Sequence, residues 1–512
     1  MHRGSLSFVI VALAACGRTG LEVPSDDDAV HATGGTATGP GTAGHGTTGG
    51  AGGFLGVGGT QASGAAGSAG ANPTHPGDDG GAGTANPIGC VIRVLPFDGD
   101  DGNDGTSWDR AVRSLTRALV LAHSECEVWL ASGTYMPLGD TRREATFTVP
   151  DGVTIRGGFV GTERTPDDRT FAELLPLLSG NVGDEGPNDD LYHVVTALGA
   201  VTLDHVYVTH GHAPAANGGG AIVAAGALTL DSCNIFKAIS DGDGGGILAH
   251  GALTAKDSTF TELIASKNGG AIFADGGAPL TFDGSLFDKN AASDGGAIHV
   301  GAGQNTATLD VTNGTFTRNT ATGAAAPTAN GGAITFQGAT VTLSACSLLE
   351  NDALAGRGGA LYSSGDAKVV SSVIARNSAV NGAGLAEGGS GLLDLLNVTI
   401  AANESGTLAA LDVEDGAAIR IVNSILWGDV PAEIVVTSTG GSPNPIASNM
   451  SGTYPNLSLF NPRFVDAPSE NYRLLAGSPC IDHGDDSRAP PTDLLGNPRV
   501  GKADMGAYEY GN

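Results

Sequence analysis

Positive charge is scarce in this chain: 25 Lys and Arg stand against 54 Asp and Glu in 512 residues, a formal net charge of -29. Such a surface repels phosphate backbones and anionic headgroups, which argues against nucleic acid as a partner and against adhesion to an anionic membrane. Its simplest meaning is solubility at a cell surface. Aromatic residues are also scarce, at 5%, so the core must be filled by stacked Ile, Leu, Val and Ala rather than organised around large rings. Helix-length amphipathic stretches are missing from the middle of the chain. Its apolar residues come in short alternating runs, such as those beginning at Leu228, Pro279 and Thr340, which are strand-like.

What the chain has in abundance is glycine, 82 residues, and repetition. A Gly pair or near-pair, then a small residue and an aliphatic one, recurs with Ile222, Ile247, Ile272, Ile298, Ile334, Leu361, Leu385 and Ile419 at the aliphatic position, mostly at steps of about 24 to 27 residues. A second phrase interleaves, an inward hydrophobe followed three residues later by Asn: Phe287 with Asn290, Phe316 with Asn319, Leu348 with Asn351, Ile374 with Asn377, Ile400 with Asn403. One such unit cannot bury its own apolar face, whereas stacked coils can, each strand pairing with its equivalents about 4.8 Å away. Gly accepts the positive φ that corners need, and Asn tolerates the same region while its amide can bond its counterpart one coil on. The expected fold is all-β, a right-handed parallel β-helix of the pectin-lyase-like kind, over about 176–430, with last coils and a C-terminal region over 431–512.

The N-terminus is different. Residues 1–15 carry His2 and Arg3, a short apolar run from Leu6 to Leu13, and then Leu13-Ala-Ala-Cys16, which resembles a bacterial lipoprotein signal with its lipobox. The resemblance implies a mature chain that begins at a lipidated Cys16, several acyl chains that anchor it firmly, and Gly17 rather than Asp, as in lipoproteins sent to the outer membrane. Residues 16–87 are Gly, Thr, Ala, Ser and Pro with scattered acids and read as a flexible tether. Its mean reach is on the order of 45 Å. Gly44-His45-Gly46 within it is compositional noise.

Folding starts near Ile88, and residues 88–175 read as an N-terminal cap with the first coils. Thr106 or Ser107 could start a helix in which Ala111, Val112, Leu115, Ala118, Leu119 and Ala122 share one face, a plug for the open end of the solenoid. The loop before it offers Asp98, Asp100, Asn103 and Asp104 as oxygen ligands for a structural calcium. No Glu closes the twelve-residue calcium pattern, so a solvated turn is the competing reading. No other cofactor is expected.

Several motifs carry a family resemblance. Asn103 to Trp108, Val128 to Tyr135, Phe147 to Ile155, Gly157-Gly-Phe159, Gly161-Thr-Glu163 and Tyr192 to Val195 resemble the opening of a bacterial family of secreted β-helix proteins. The Gly-Gly-Ala-Ile and Phe-x-x-Asn phrases are similar to those of polymorphic outer membrane proteins. Ser478 to Asp482, Asp493 to Arg499 and Asp504 to Glu509 resemble the choice-of-anchor Q domain. The resemblance implies the β-helix fold and an envelope location; it names no ligand.

Cys16 aside, five cysteines remain. Cys233 and Cys346 each precede an inward hydrophobe by two residues and should both point inward. They lie four coils apart, roughly 19 Å at the strand spacing, so two separate buried thiols are expected. Cys90 and Cys126, each preceding a strand of the cap, are the pair expected to bridge.

For catalysis the best candidates are Asp231, Asp257 and Asp283, which recur near one position of successive coils, with no Arg or Lys recurring beside them. Asp or Asn before a strand bend is also ordinary turn chemistry. Asp204-His205 and His210-Gly-His212 form the densest His cluster, without an evident third metal ligand. The sequence therefore reads as a lipid-anchored cell-surface β-helix presenting an elongated binding or adhesive face to a glycan or a neighbouring cell. The alternatives are a polysaccharide lyase or glycoside hydrolase, and a structural envelope spacer.

Overall fold

The computed structural model describes residues 89–511 apart from 138–142, 170, 172–174, 184–185, 302–305, 325–328, 415, 437–444 and 452–459. The lipobox with Cys16 and the tether to residue 87 lie outside the described residues.

From Cys90 to Met450 the chain winds as a right-handed parallel β-helix of about 11 turns. Each full coil contributes four short strands to four parallel sheets, for example Leu228–Asp231 to sheet A, Asn234–Phe236 to sheet B, Ile239–Ser240 to the narrow sheet C and Ile247–Ala249 to sheet D. Among the described residues these sheets hold 12, 12, 8 and 11 strands. Inward side chains stack in columns; in sheet B the column runs Ile235, Phe260, Phe287, Phe316, Leu348, Ile374, Ile400 and Leu426. Phe260, Phe287 and Phe316 stack with ring centroids 4.7 and 4.6 Å apart.

The glycine phrase forms the corner from sheet C to sheet D. Gly244, Gly269, Gly295 and Gly331 there have φ between 58° and 65°, and a Cβ on Gly269 would lie 2.1 Å from the Ile272 carbonyl. The sheet D column runs Ile222, Ile247, Ile272, Ile298, Ile334, Leu361, Leu385, then Leu411 and Ile434. Leu411, preceded by Ala409-Ala410, therefore holds the place that the motif gave to Ile419. Ile419 lies instead in sheet A opposite Leu393. Glycine is a corner device that small residues can replace, so motif matching slipped by eight residues, one sheet along the coil.

Two of the other three corners turn on one residue each, in the left-handed region and mostly not glycine. Between sheets A and B these are His205, Ser232, Asp257, Gly284, Asn313 and Ala345; between B and C, His210, Lys237, Glu262, Lys289, Arg318, Glu350 and Arg376. The backbone N–H of such a residue donates to a carbonyl of the next coil, as Lys237 does to Thr261 at 3.2 Å. Those bonds across coils hold a conformation that the side chain alone disfavours.

Just past the second corner runs the asparagine ladder. Asn290, Asn319, Asn351, Asn377 and Asn403 are fully buried, and each Nδ2 donates to the Oδ1 of the next, at 2.9 to 3.0 Å, until Asn403 donates to Asp429.

The capping helix starts later than the sequence suggests. Val112 is bridged to Val94, and Asp101 accepts from the Arg113 and Ser114 N–H groups. The helix therefore begins at Leu115, capped by Ser114, and ends at Leu121. Leu115, Ala118 and Leu119 enter the core against the first strands, covering the end of the solenoid. Cys90 and Cys126, opposite each other on the first two strands of sheet A, form a disulfide, while Cys233, Cys346 and Cys480 are free and buried.

Residues 460–511 fold back over the outer face of sheet B as a lobe. The face they cover is apolar, with Val373, Ala375, Ala401, Ile425 and Trp427, whereas upstream the same face carries Thr259, Thr261, Thr315 and Thr317. Gly506 makes the contact possible: a Cβ there would lie 2.7 Å from both Ile425 and Thr399.

Candidate functional site

The three aspartates singled out by spacing do not form one column. Asp231 pairs in register with Lys256, and Lys256 with Asp283. Asp257 is the corner residue after Lys256, with φ 47°. Successive coils here are 25 and then 27 residues long, so a constant spacing of 26 drifts off register in the middle and returns at the end. The outward row on sheet A therefore reads Arg156, Asp204, Asp231, Lys256, Asp283, and cations do stand among the acids. The strongest contacts are at Asp204, which meets Arg156 at 2.5 Å, Arg169 at 3.1 Å and the Nδ1 of His205. Burial would raise that carboxyl, but His205 and the two guanidinium groups hold it below the usual range. Asp283 accepts from Asn313 Nδ2 at 2.9 Å and Asp231 from Ser232 Oγ at 3.0 Å. These acids hold turns and cations on an open face.

The loop at 98–104 is likewise committed to itself. Asp100 Oδ1 accepts from Gly102 N, Asn103 Nδ2 donates to the Ala111 carbonyl, and Asp104 takes Arg110 at 2.7 Å. Asp98, Asp100 and Asp104 are not brought within 4.8 Å of one another as a group of carboxylates. Among the described residues the one trio of metal-type donor atoms within 4.8 Å of each other is Cys90, His123 and Cys126, and two of these are joined by the disulfide.

The motif residues of both ends are structural. Trp108 packs on Trp129 and Phe159 and donates to the Glu163 carbonyl, and the Glu163 carboxylate accepts the N–H groups of residues 160–162. In the lobe, Arg499 meets Glu509 at 3.0 Å with both nearly fully buried. Asp493 accepts from Leu495, Asn497 and Glu509, and Asp504 from Asp482 and Tyr510.

A concave site does exist, and the His cluster leads to it. The corner residues His210, Lys237 and Glu262 project from successive coils, one every 4.8 Å or so, beside a groove of about 590 Å³. Ile239 and Ile264 on sheet C contribute aliphatic surface, and Asn181, Gly186, Pro187 and Asp190 form the opposite wall. His212 pins that wall, its ring nitrogens meeting the Pro187 carbonyl at 2.7 Å and Asp241 at 3.0 Å. Arg143 fixes it too, bonding the Asp190 and His212 carbonyls. Burial, aided by Asp189, pushes the Asp190 carboxyl up to about 6, and burial, aided by Lys237, lowers the His210 imidazole. The side chains of Lys237 and Glu262 have no hydrogen-bond or ion-pair partner among the described residues. The groove thus offers two carboxylates, an ammonium and an imidazole over an apolar floor.

The sequence held a signal for this row that the Gly and Asn phrases masked. Two residues after the inward hydrophobes of sheet B from Ile235 to Ile374 comes a charge: Lys237, Glu262, Lys289, Arg318, Glu350, Arg376.

A different carboxyl points inward. Glu387 is fully buried in sheet D between Ser363 and Val413, with Oε2 unpartnered among the described residues. Burial pushes it up to about 8. The folded state therefore favours its protonated form, and the stability this gives is complete below the usual Glu range near pH 4.5 and is lost as pH rises through about 8. The urea midpoint of Glu387→Gln is expected to fall less steeply with pH over that window than that of the wild type, the gap widening by roughly 3–5 kcal/mol by pH values above 8. Parallel declines in both proteins would remove Glu387 as the cause.

No protein-family model matches the chain, and no curated protein does. Among solved structures the chain is similar to pectate lyase Pel9A, at 15% identity with a TM-score of 0.48 over 83% of this chain and 97% of that one. It is also similar to a rhamnogalacturonan lyase, at 13% identity with a TM-score of 0.38 over 81% of this chain and 96% of that one.

Proposed function

We propose that this protein is a surface β-helix, carried on a lipid at Cys16 and a glycine-rich tether, that binds an extended glycan in the corner groove. The observation that carries this reading is the row His210, Lys237 and Glu262 beside Ile239 and Ile264 in a groove of about 590 Å³. Sugar rings present apolar C–H faces and a rim of hydroxyls. A floor of aliphatic carbon beside unspent charged donors and acceptors answers both, and the volume falls in the range of roughly 300–1,000 Å³ typical of ligand sites. Rows that repeat with the coil suit a polymer lying along the axis. The lipobox supports the anchor and the composition of 16–87 supports the tether.

A second reading, hydrolysis or elimination on the bound glycan, has one observation in its favour. Burial pushes the Asp190 carboxyl up to about 6 and lowers the His210 imidazole in the same groove, so the two titrate closer together than free groups do and nearer the range in which one group can give a proton and the other take it.

Both readings are tested by incubating the purified chain with a panel of neutral and acidic polysaccharides, measuring binding together with release of reducing and unsaturated ends. Binding without release is expected, with Lys237→Ala and Glu262→Ala each weakening it by about tenfold, the effect of losing one hydrogen bond to a charged group. Binding that both variants leave unchanged would remove the groove from the account, and release abolished by Asp190→Asn would make the protein an enzyme.

A further inference from the structure

A second site lies on sheet A, away from the corner groove, and does not depend on it. One outward row of that sheet begins with threonine on successive coils, Thr202, Thr229, Thr254 and Thr281. It continues as Asp310, Thr342, Lys368, Asp394 and Arg420. Next to the last of these coils the C-terminal lobe is stapled to the solenoid: Asp485 N donates to Asn423 Oδ1 at 2.7 Å, and Asn423 Nδ2 returns to the Asp485 carbonyl at 3.1 Å. The staple brings Arg488 over the sheet. Lys368, Arg420 and Arg488, with Asp394, Leu396 and Val422, line a pocket of about 210 Å³.

We infer that this pocket binds a compact oxyanion, a sulfate, phosphate or carboxylate group, whether free or carried on a glycan. Three of the chain's 25 Lys and Arg meet in this one pocket of a protein with net charge -29. Only part of their donors is spent on neighbouring acids. Arg420 gives Nε and Nη2 to the two oxygens of Asp394, which uses up that carboxylate and leaves Nη1. Arg488 gives Nε to Asp485 at 3.3 Å and keeps both terminal nitrogens. Lys368 has no partner among the described residues. Ammonium and guanidinium groups donate and never accept, so what remains exposed is a set of N–H donors with a positive charge, and planar guanidinium matches oxyanion geometry in pairs of bonds. The volume is below that of a whole-ligand cleft and suits one such group, with Leu396 and Val422 as its floor.

The test uses the full folded domain and its Lys368→Gln and Arg488→Gln variants, whose changed side chains are exposed and leave the Arg420–Asp394 clamp in place. Sodium sulfate, sodium phosphate, a sulfated oligosaccharide and a uronate oligosaccharide are titrated at constant ionic strength set with sodium chloride, following the amide resonances of 368, 420 and 488. Saturable shifts at those residues, with affinity at least tenfold weaker in each variant and intact in Lys237→Ala, are expected. Saturation by the inorganic ions assigns a free anion, and saturation by the oligosaccharides alone assigns a glycan-borne one. Shifts that chloride reproduces, or that both variants retain, overturn the inference.

Discussion

Asn351→Leu should lower the unfolding free energy of the solenoid by roughly 3–6 kcal/mol, read as the urea midpoint by circular dichroism. The two side chains are close in size, so little of the loss comes from a cavity. It comes from hydrogen bonds. Asn351 Nδ2 donates to Asn377 Oδ1 at 2.9 Å and to the Phe316 carbonyl at 3.0 Å, and its Oδ1 accepts the backbone N–H of Asn319 at 3.0 Å and the Nδ2 of Asn319 at 2.9 Å. Leucine strands the Asn319 N–H in a fully buried place, and each buried orphan costs about 1–3 kcal/mol. Neighbouring coils then lose a shared rung, and because each coil touches only its neighbours the opening is local at first. Asn313→Gly, at an exposed corner bonded to Asp283 where φ is 55° and glycine adds no strain, is the contrast and should cost under about 1 kcal/mol. Equal, small losses in both would mean that the ladder adds nothing to coil stacking.

Arg499→Met should release the C-terminal lobe, at a cost of about 3–5 kcal/mol. Arg499 and Glu509 are 6% and 2% exposed, and removing the cation leaves a buried carboxylate whose remaining donors are the Val500 and Asp504 N–H groups. The lobe sits on Val373, Ala375, Ala401 and Ile425, so its release exposes an apolar strip on sheet B. The expected signs are a dye-binding signal and protease cuts confined to residues beyond about 460, with the coils before it still resistant. Arg499→Met combined with Glu509→Leu should recover much of the loss, since burying no charge is cheaper than burying one. A single variant as stable as the wild type would show that the pair contributes nothing to docking.

The ladder and the lobe differ in how far they could be read beforehand. The asparagines stand three residues after each inward hydrophobe, and a repeat in register specifies its own neighbours, so Asn290 to Asn403 as a stack followed from spacing alone. The lobe motifs were visible as Asp493, Arg499, Asp504 and Glu509, but nothing in their spacing says that these acids accept backbone N–H groups from one another's loops. The same contrast holds for the candidate sites. Asp231, Asp257 and Asp283 recur at an even interval, and the interval misled because the coils between them differ in length.

Periodicity, small aliphatic residues and glycine corners determined the β-helix, its inward columns and the separation of Cys233 from Cys346, because in a stacked coil sequence neighbours one period apart are also spatial neighbours. Tertiary structure alone decided which charges line a common cavity: a wall pinned by His212 places Asp190 in the groove of Lys237, and the stapled lobe brings Arg488 to the pocket of Lys368. Those contacts join segments with no common period, so their geometry depends on how a loop and a lobe fold back across the coils.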